Sequence, residues 1–332
     1  MALLLAGIDE AGYGPLLGPL TVAMAMFRID PWTPGDRAPD LWTLLEPAVG
    51  RAGSSPRARI LIDDSKKLKL PNTSTGRAST RHPLLHLERG VLAFLGASNA
   101  LPRTDDDLFR ALGVDLGEAP WALSPSTPVP VAWSEAQIAI ASNLLAGTLV
   151  TAGVGVVGLS CVSVNVDRFN ETVRSTGTKG ETTLLAIGRH LRALLSVPDA
   201  APHHVRVVCD RLGGRTAYAS LLERETSLEA TVLEETNRVS RYALRRVGET
   251  GEARVVVHFM PEAERAHLGV ALASMTAKYV RELAMARFNR YWGTKMPDLK
   301  PTAGYRQDAA RWLREASGIL TDDDRSELIR LA

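Results

Sequence analysis

Two adjacent carboxylates, Asp9 and Glu10, end an apolar run near the start of the chain. Residues 3–8 are typical of a buried strand, and Gly12 and Gly14 follow in a turn whose backbone can approach another group closely. Burying a carboxylate is costly unless a cation or hydrogen bonds compensate for the lost hydration. A bound metal ion is therefore the leading explanation for the pair.

Two further acidic residues follow a similar pattern. Asp210 ends the apolar segment 205–209, and Glu282 lies on a predicted long helix at about 266–290. Functional groups in α/β sheets collect beyond the ends of strands, so four carboxylates could converge there. Hard oxygen ligands favour Mg²⁺ or Mn²⁺, and two such ions about 4 Å apart can activate a water and stabilise the leaving oxygen of a phosphoryl displacement.

Each carboxylate also has a simpler explanation. A single aspartate at a strand end more often caps a turn, and a helical glutamate beside Arg281 is usually a solvated partner. The sequence contains no P-loop, and Gly12-x-Gly14 lacks the rest of a dinucleotide-binding fingerprint. The joint occurrence of the four carboxylates and the glycine turn is what favours a metal site.

The overall composition is that of a globular protein. The chain has 332 residues, of which 45% are apolar and 23% charged, with a net charge of +2. This near-neutral balance does not indicate general binding to polyanions, although a local basic groove is compatible with it. The apolar start lacks a basic leader, and no apolar run is long enough for a membrane span. We therefore expect a cytoplasmic monomer with no membrane association and no evident protein partner.

The periodicity of apolar residues predicts an α/β fold with a mixed sheet flanked by helices. Strands are predicted at 3–8, 18–28, 60–62, 151–157, 159–166, 205–209 and 254–260. Helices are predicted at 134–147, 181–195, 215–226, 266–290, 306–317 and 322–331. We expect one catalytic domain over residues 1–332, with insertions at about 31–58 and 71–150 and a helical C-terminal part at about 266–332.

Three sequence blocks resemble those of the type 2 ribonucleases H, ribonuclease HII and ribonuclease HIII. They are residues 7–19 (GIDEAGYGPLLGP), 64–68 (DSKKL) and 271–282 (ALASMTAKYVRE), and they occur in the family's order. Residues 292–295 (WGTK) form a weaker fourth block, similar to the family's Tyr-Gly-Thr-Lys loop. The resemblance covers about two thirds of the chain.

The resemblance implies an RNase H-like fold and endonucleolytic cleavage of the RNA strand of RNA/DNA hybrids. It also implies two Mg²⁺ or Mn²⁺ ions, held by Asp9, Glu10, Asp210 and Glu282. Glu282 stands where ribonuclease HII has aspartate, a choice that ribonuclease HIII resembles. The residues expected to bind the nucleic acid are Gly12, Tyr13, Gly14, Lys66, Trp292, Thr294 and Lys295.

Two departures from the family leave the substrate preference open. Tyr13 replaces the arginine of the Gly-Arg-Gly turn, whose backbone reads ribose 2′-hydroxyls in ribonuclease HII. Trp292 replaces a tyrosine and lacks its hydroxyl. Two alternatives therefore stand beside a hybrid-specific ribonuclease H: a nuclease of different nucleic-acid specificity on the same fold, and a nucleic-acid-binding relative without catalytic activity.

Overall fold

The structure is a computed structural model that describes residues 1–53, 59–71, 81–197, 204–246, 248 and 254–331. Its strands are β1 (Leu3–Ala11), β2 (Leu20–Ile29), β3 (Val49–Gly50), β4 (Ile60–Leu61), β5 (Val154–Val164), β6 (His204–Asp210), β7 (Glu229–Glu235), β8 (Ser240–Arg245) and β9 (Val255–Met260). Its helices are α1 (Leu41–Leu44), α2 (Ser65–Leu68), α3 (Leu85–Ala97), α4 (Asp105–Leu112), α5 (Glu135–Thr151), α6 (Val166–Thr176), α7 (Gly180–Leu195), α8 (Ala219–Thr226), α9 (Ala263–Ala266), α10 (Leu268–Lys295), α11 (Arg306–Glu315) and α12 (Asp322–Leu328).

A mixed sheet of seven strands organises the described part of the chain, in the order β5-β2-β1-β6-β9-β8-β7. β1 lies inside it, antiparallel to β2 and parallel to β6, and β6 is in turn parallel to β9. The continuous apolar sequence of β1 suits this place, because a strand covered on both faces needs no polar side. The predicted mixed sheet flanked by helices is confirmed.

Alternate residues of β1 enter two apolar cores. Leu3 and Leu5 pack in the core that includes α3, α5 and α10, whereas Leu4 and Ala6 pack in the core that includes α7 and α8. This alternation follows from the period of two in an extended strand. The helices therefore cover both faces of the sheet and leave its strand ends for the polar groups.

Helix α10 lies against β1 at backbone contact distance. A Cβ atom added to Gly7 would stand 2.2 Å from the backbone nitrogen of Val270, so only glycine fits at this position. Further along, a Cβ on Gly12 would stand 2.5 Å from the Nε of Arg281. The helix thus runs beside the chain from residue 7 to residue 12. These two contacts determine which residues of α10 lie next to each residue of β1.

Several elements differ from the sequence-based expectations. The two strands predicted at 151–157 and 159–166 form one strand, β5, opposite a bulge between Met26 and Phe27 of β2. The hairpin β7–β8 was not predicted. Helix α10 continues through residues 292–295, which were expected to form a loop, because the cost of a single glycine, Gly293, is small beside the packing of the buried Trp292.

The predicted insertions are only partly described. Residues 54–58 and 72–80 lie outside the described residues. Helices α3 and α5 belong to the second predicted insertion, at about 71–150. Both helices contribute buried side chains to the same core as β1. The predicted helix start at residue 134 is confirmed, because Ser134 and Gln137 form a capping box. None of the described helices is long and apolar enough to cross a membrane.

Candidate functional site

Three of the predicted carboxylates meet at one edge of the sheet. Ile8 pairs with Cys209 across the parallel strands β1 and β6, so the next residues, Asp9 and Asp210, stand side by side at the strand ends. Adjacent strands are about 4.8 Å apart. Burial, followed by repulsion from Glu10 and Asp210, raises the pKa of Asp9 well above its usual range. The carboxylates therefore interact strongly with one another.

The pKa values of the other two members of this group are also raised, Glu10 by burial and repulsion and Asp210 by burial. Burial and the charge of Asp210 raise the pKa of Glu10 to about 7, and attraction by Lys66 opposes the shift. Burial also raises the pKa of Asp210, while the backbone N–H of Ala263 donates a hydrogen bond to its Oδ1 at 3.1 Å and opposes that rise. Crowded carboxylates with raised pKa values are a frequent property of functional sites.

The hydroxyl group of Ser274 orients Asp9 and is itself in contact with the hydroxyl group of Ser65. A hydrogen bond from Ser274 of α10 opposes the rise in the pKa of Asp9. The Oγ atom of Ser274 also lies 3.0 Å from the Oγ atom of Ser65, the first residue of α2. Asp64 caps this short helix by accepting the N–H of Lys66 at 2.9 Å. The Asp-Ser-Lys block thus connects α2 to the carboxylates through Ser274.

Glu264 is a fourth carboxylate near this group, and the sequence analysis missed it. It is buried, and its pKa is raised by burial and by the charges of Asp210 and Asp64. It follows β9, whose last residue, Met260, pairs with Asp210 of β6. The strand-end rule that identified Asp210 would also have pointed to the acidic residues after β9. Of these, Glu262 is exposed and pairs with Arg265 at 2.8 Å.

Glu282, the fourth predicted ligand, forms ion pairs with two lysines in the structure. Its carboxylate lies 2.8 Å from the Nζ of Lys278 and 3.8 Å from the Nζ of Lys69. Glu282 follows Ser274 by eight residues, which is about 12 Å along a helix. Because α10 runs beside β1 and Ser274 lies at the level of Asp9, Glu282 lies beyond the strand end, and its charge is already balanced by lysines.

The glycine turn and Lys66 flank the carboxylates, and their expected role in binding a nucleic acid stays a prediction. Gly12 adopts a φ of +88°, which favours glycine, and Gly14 is exposed. Tyr13 is 42% exposed. Partial burial raises the pKa of its hydroxyl, and the negative charge of Glu10 adds to the rise. Lys66 is exposed, and its charge acts on Glu10, Asp210 and Glu264. These residues could contact a polyanion bound at the carboxylates.

The last turn of α10 lies far from the carboxylates. Trp292 is only 2% exposed and packs with Phe288 and Trp312, so the structure places its ring in the core, and its expected role in substrate binding stays a prediction. Thr294 and Lys295 are exposed, but Thr294 follows Ser274 by 20 residues, about 30 Å along a helix. Thr294 donates to the Tyr291 carbonyl at 2.7 Å, and Lys295 stacks over the Tyr291 ring.

The donor chemistry of the group suits a hard divalent cation. Carboxylate oxygens are the preferred ligands of Mg²⁺ and Mn²⁺, and a cation would relieve the repulsion that contributes to the raised pKa values of Asp9 and Glu10. Within the described residues, no three His, Cys, Asp or Glu side chains are arranged around a common point as ligands of one ion.

Comparison with known proteins identifies similar solved structures, whereas no family model and no curated protein matches. Ribonuclease HII from Archaeoglobus fulgidus, solved as a complex with PCNA, is 15% identical, with a TM-score of 0.41 over 99% of this chain and 94% of that chain. Ribonuclease H2 from Pyrococcus horikoshii OT3 is 14% identical, with a TM-score of 0.42 over 97% and 93%.

A third similar structure is Bst-RNase HIII in complex with Mn²⁺. It is 17% identical, with a TM-score of 0.41, and the match covers 99% of this chain and 66% of that chain. All three structures are ribonucleases of type HII or HIII, the family that the sequence blocks resemble.

Proposed function

We propose that this protein is a divalent-metal-dependent type 2 ribonuclease H that cleaves the RNA strand of RNA/DNA hybrids. The observation that carries this proposal is the meeting of Asp9, Glu10 and Asp210 at the ends of adjacent parallel strands, where burial raises all three pKa values and repulsion adds to the rise for Asp9 and Glu10. A folded chain tolerates such crowded charge when a cation compensates for it during function.

The ligand set that we propose is Asp9, Glu10, Asp210 and Glu264. Glu264 replaces Glu282 because its pKa responds to Asp210, whereas Glu282 is neutralised by Lys278 and Lys69. When bound, two Mg²⁺ or Mn²⁺ ions would activate a water and stabilise the leaving oxygen of the phosphodiester.

The chain's own residues would orient the ligands and the substrate. Ser274 holds Asp9, and the N–H of Ala263 holds Asp210, so two carboxylates are restrained by hydrogen bonds before any ion binds. Lys66 supplies a positive charge next to the carboxylates, where it would contact a non-bridging phosphate oxygen. Gly12 and Gly14 would allow the backbone to approach the ribose of the cleaved strand.

A second candidate is a nuclease of different nucleic-acid preference on the same site. The observation that favours it is Tyr13, whose exposed ring stands where an arginine would otherwise meet the backbone of the nucleic acid. An aromatic side chain can stack on a base or a sugar, and stacking tolerates DNA as well as RNA.

Both candidates are tested by cleavage of a substrate panel. The panel comprises an RNA/DNA hybrid, a DNA duplex with one ribonucleotide, an all-DNA duplex and an all-RNA duplex, each with Mg²⁺ or Mn²⁺. We expect nicking of the RNA strand of the hybrid by the wild type and its loss in Asp9→Asn. Equal cleavage of the all-DNA duplex would support the second candidate, and no cleavage above Asp9→Asn on any substrate would exclude both.

A further inference from the structure

Residues 12–18, here called the glycine loop, are hydrogen-bonded to a buried arginine that is distant in sequence. Nη1 of Arg330 donates to the carbonyl of Gly12 at 2.6 Å, and its Nε donates to the carbonyl of Gly18 at 2.8 Å. Arg330 is 2% exposed. One guanidinium therefore joins both ends of the loop that follows the carboxylate pair.

The segment that carries this arginine, residues 329–331, is itself fixed at several points and is here called the strap. The backbone N–H of Arg330 donates to Leu16 at 2.9 Å, inside the glycine loop. On the other side, Asn170 of α6 donates to the carbonyl of Ile329 at 2.9 Å and accepts the N–H of Leu331 at 2.7 Å. The strap thus lies between α6 and the glycine loop and is hydrogen-bonded to both.

A second buried arginine acts on the same loop. Arg281 of α10 is fully buried and donates to the carbonyls of Leu17 and Ala303, at 3.2 and 3.0 Å. No ion pair recorded among the described residues includes Arg281 or Arg330. Each guanidinium also lies over an aromatic ring, Arg281 over Tyr305 and Arg330 over Phe169. Burying a guanidinium without a carboxylate partner is costly, so these hydrogen bonds and ring contacts must offset a substantial loss of hydration.

The direction of these hydrogen bonds determines what the loop presents to solvent. Because the peptide group is planar and trans, the N–H of Tyr13 points away from the carbonyl of Gly12. That carbonyl points at Arg330, so the N–H of Tyr13 points away from the buried arginines. A Cβ on Gly12 would collide with Arg281, so the loop cannot shift towards α10.

We propose that Arg330 is a positioning residue that fixes the glycine loop in its substrate-binding conformation, with the strap as its support. Its effect on cleavage rests on the function proposed above, whereas its effect on the loop does not. It acts at a distance from the metal ligands, so its removal would weaken binding of the nucleic acid and leave binding of the metal ion intact.

The experiment compares Arg330→Ala and Arg330→Lys with the wild type and with Arg314→Ala, an exposed arginine of α11, as the matched control. Amide hydrogen exchange measures the glycine loop directly. We expect exchange in residues 12–18 to become roughly tenfold faster in Arg330→Ala, because charge-assisted hydrogen bonds are lost. Exchange in residues 3–9 and in the control variant should stay unchanged.

Two binding measurements separate positioning from general stability. Affinity for a labelled RNA/DNA hybrid, measured by fluorescence anisotropy in Ca²⁺, should fall roughly tenfold in Arg330→Ala. Arg330→Lys should recover only part of this affinity, since lysine cannot donate to Gly12 and Gly18 as a fork. Calorimetric Mn²⁺ affinity should stay at the wild-type value. Unchanged loop exchange, or equal losses of hybrid and Mn²⁺ affinity, would overturn the proposal.

A variant on the other side of the strap covers the case in which Arg330→Ala does not fold. Asn170→Ala keeps both arginines and removes the two hydrogen bonds to the strap. It should also accelerate exchange in residues 12–18, and unchanged exchange would contradict the role of the strap. If the wild type cleaves no hybrid, the proposed function fails, while the exchange data still decide whether Arg330 holds the loop.

Discussion

The carboxylate of Glu282 lies 2.8 Å from the Nζ of Lys278, one helical turn earlier on α10. Lys69 adds a second positive charge at 3.8 Å. The carboxylates of Asp9 and Asp210 have no such partner among the recorded ion pairs of the described residues, and their pKa values are raised. The acidic residues therefore divide into one that is neutralised internally and a group that needs a cation from outside.

This division predicts different effects of two matched substitutions. Glu264→Gln should lower hybrid cleavage by roughly 10- to 100-fold or more, because even residues around a metal site have effects of this size. Glu282→Gln should keep activity within about fivefold, because glutamine keeps the size and hydrogen-bonding capacity of the side chain and Glu282 is not among the proposed ligands. Steady-state cleavage in Mg²⁺ measures both, with Asp9→Asn as the inactive reference. The reverse order of effects would return Glu282 to the ligand set.

The raised pKa of Glu10 predicts how stability depends on pH. The folded-state pKa of about 7 exceeds the unfolded value of 4.5, so the folded state binds more protons between these two pH values. The contribution of Glu10 is then most favourable below pH 4.5 and is lost as the pH rises through 7. Asp210→Asn removes part of the repulsion, so metal-free protein should melt about 2 °C or more higher at pH 8, for about 1 kcal/mol. A lower melting temperature for this variant at pH 8 would contradict the charge repulsion.

Divalent cations should offset the repulsion between the carboxylates of Glu10 and Asp210. Mn²⁺ should raise the melting temperature of the wild type at pH 8, where the carboxylates are ionised, and much less at pH 5, where protons compete for Glu10. At a concentration 100 times the dissociation constant, the stabilisation is about 2.7 kcal/mol. Thermal shift assays with the wild type and Asp9→Asn provide the comparison. An equal shift in both proteins would mean that the ion binds elsewhere.

The Ser274 hydroxyl should tune the acidic limb of the activity profile. Its hydrogen bond lowers the pKa of Asp9, so Ser274→Ala should raise that pKa further and move the acidic limb to higher pH by up to about one unit. The pH dependence of kcat/KM measures the shift. Thr276→Val, a buried change two residues along α10, is the structural control. Identical profiles for Ser274→Ala and the wild type would show that Ser274 does not act on Asp9.

Trp292 should behave as a core residue. Trp292→Ala should destabilise the protein by about 3–5 kcal/mol, because it leaves a cavity between Phe288 and Trp312. Trp292→Phe should retain most of the stability and leave the KM for the hybrid unchanged. Denaturant unfolding and steady-state kinetics test this pair of outcomes. A raised KM with normal stability in Trp292→Phe would instead place the ring in contact with the nucleic acid.

The carboxylates at the ends of β1 and β6 could be identified from the sequence, because each belongs to one β-strand with a clear apolar pattern. Asp9 and Asp210 each end an apolar run, and parallel pairing of β1 with β6 brings such ends together. Glu264 was missed because it stands four residues beyond β9, after a turn at Pro261 and on the short helix α9. Its proximity depends on the order β6–β9 in the sheet, which local sequence does not encode.

The position of α10 along the axis of β1 was the second property that the sequence could not supply. The match of residues 271–282 to the family's helix identified α10, but the contact of Gly7 with Val270 decides which residue stands beside Asp9. That residue is Ser274, and Glu282 is displaced along the axis. Trp292 was misplaced for a related reason, because the aromatic cluster with Phe288 and Trp312 keeps the helix intact through Gly293.

The hydrogen bond between Arg330 and Gly12 joins residues that are 318 positions apart. During synthesis at about 5–20 residues per second, the glycine loop leaves the ribosome at least about 16 seconds before the arginine that holds it. The strands that carry Asp9 and Asp210 can pair within that interval. The carboxylate group would then assemble first, and the glycine loop would reach its fixed conformation only when the strap is in place.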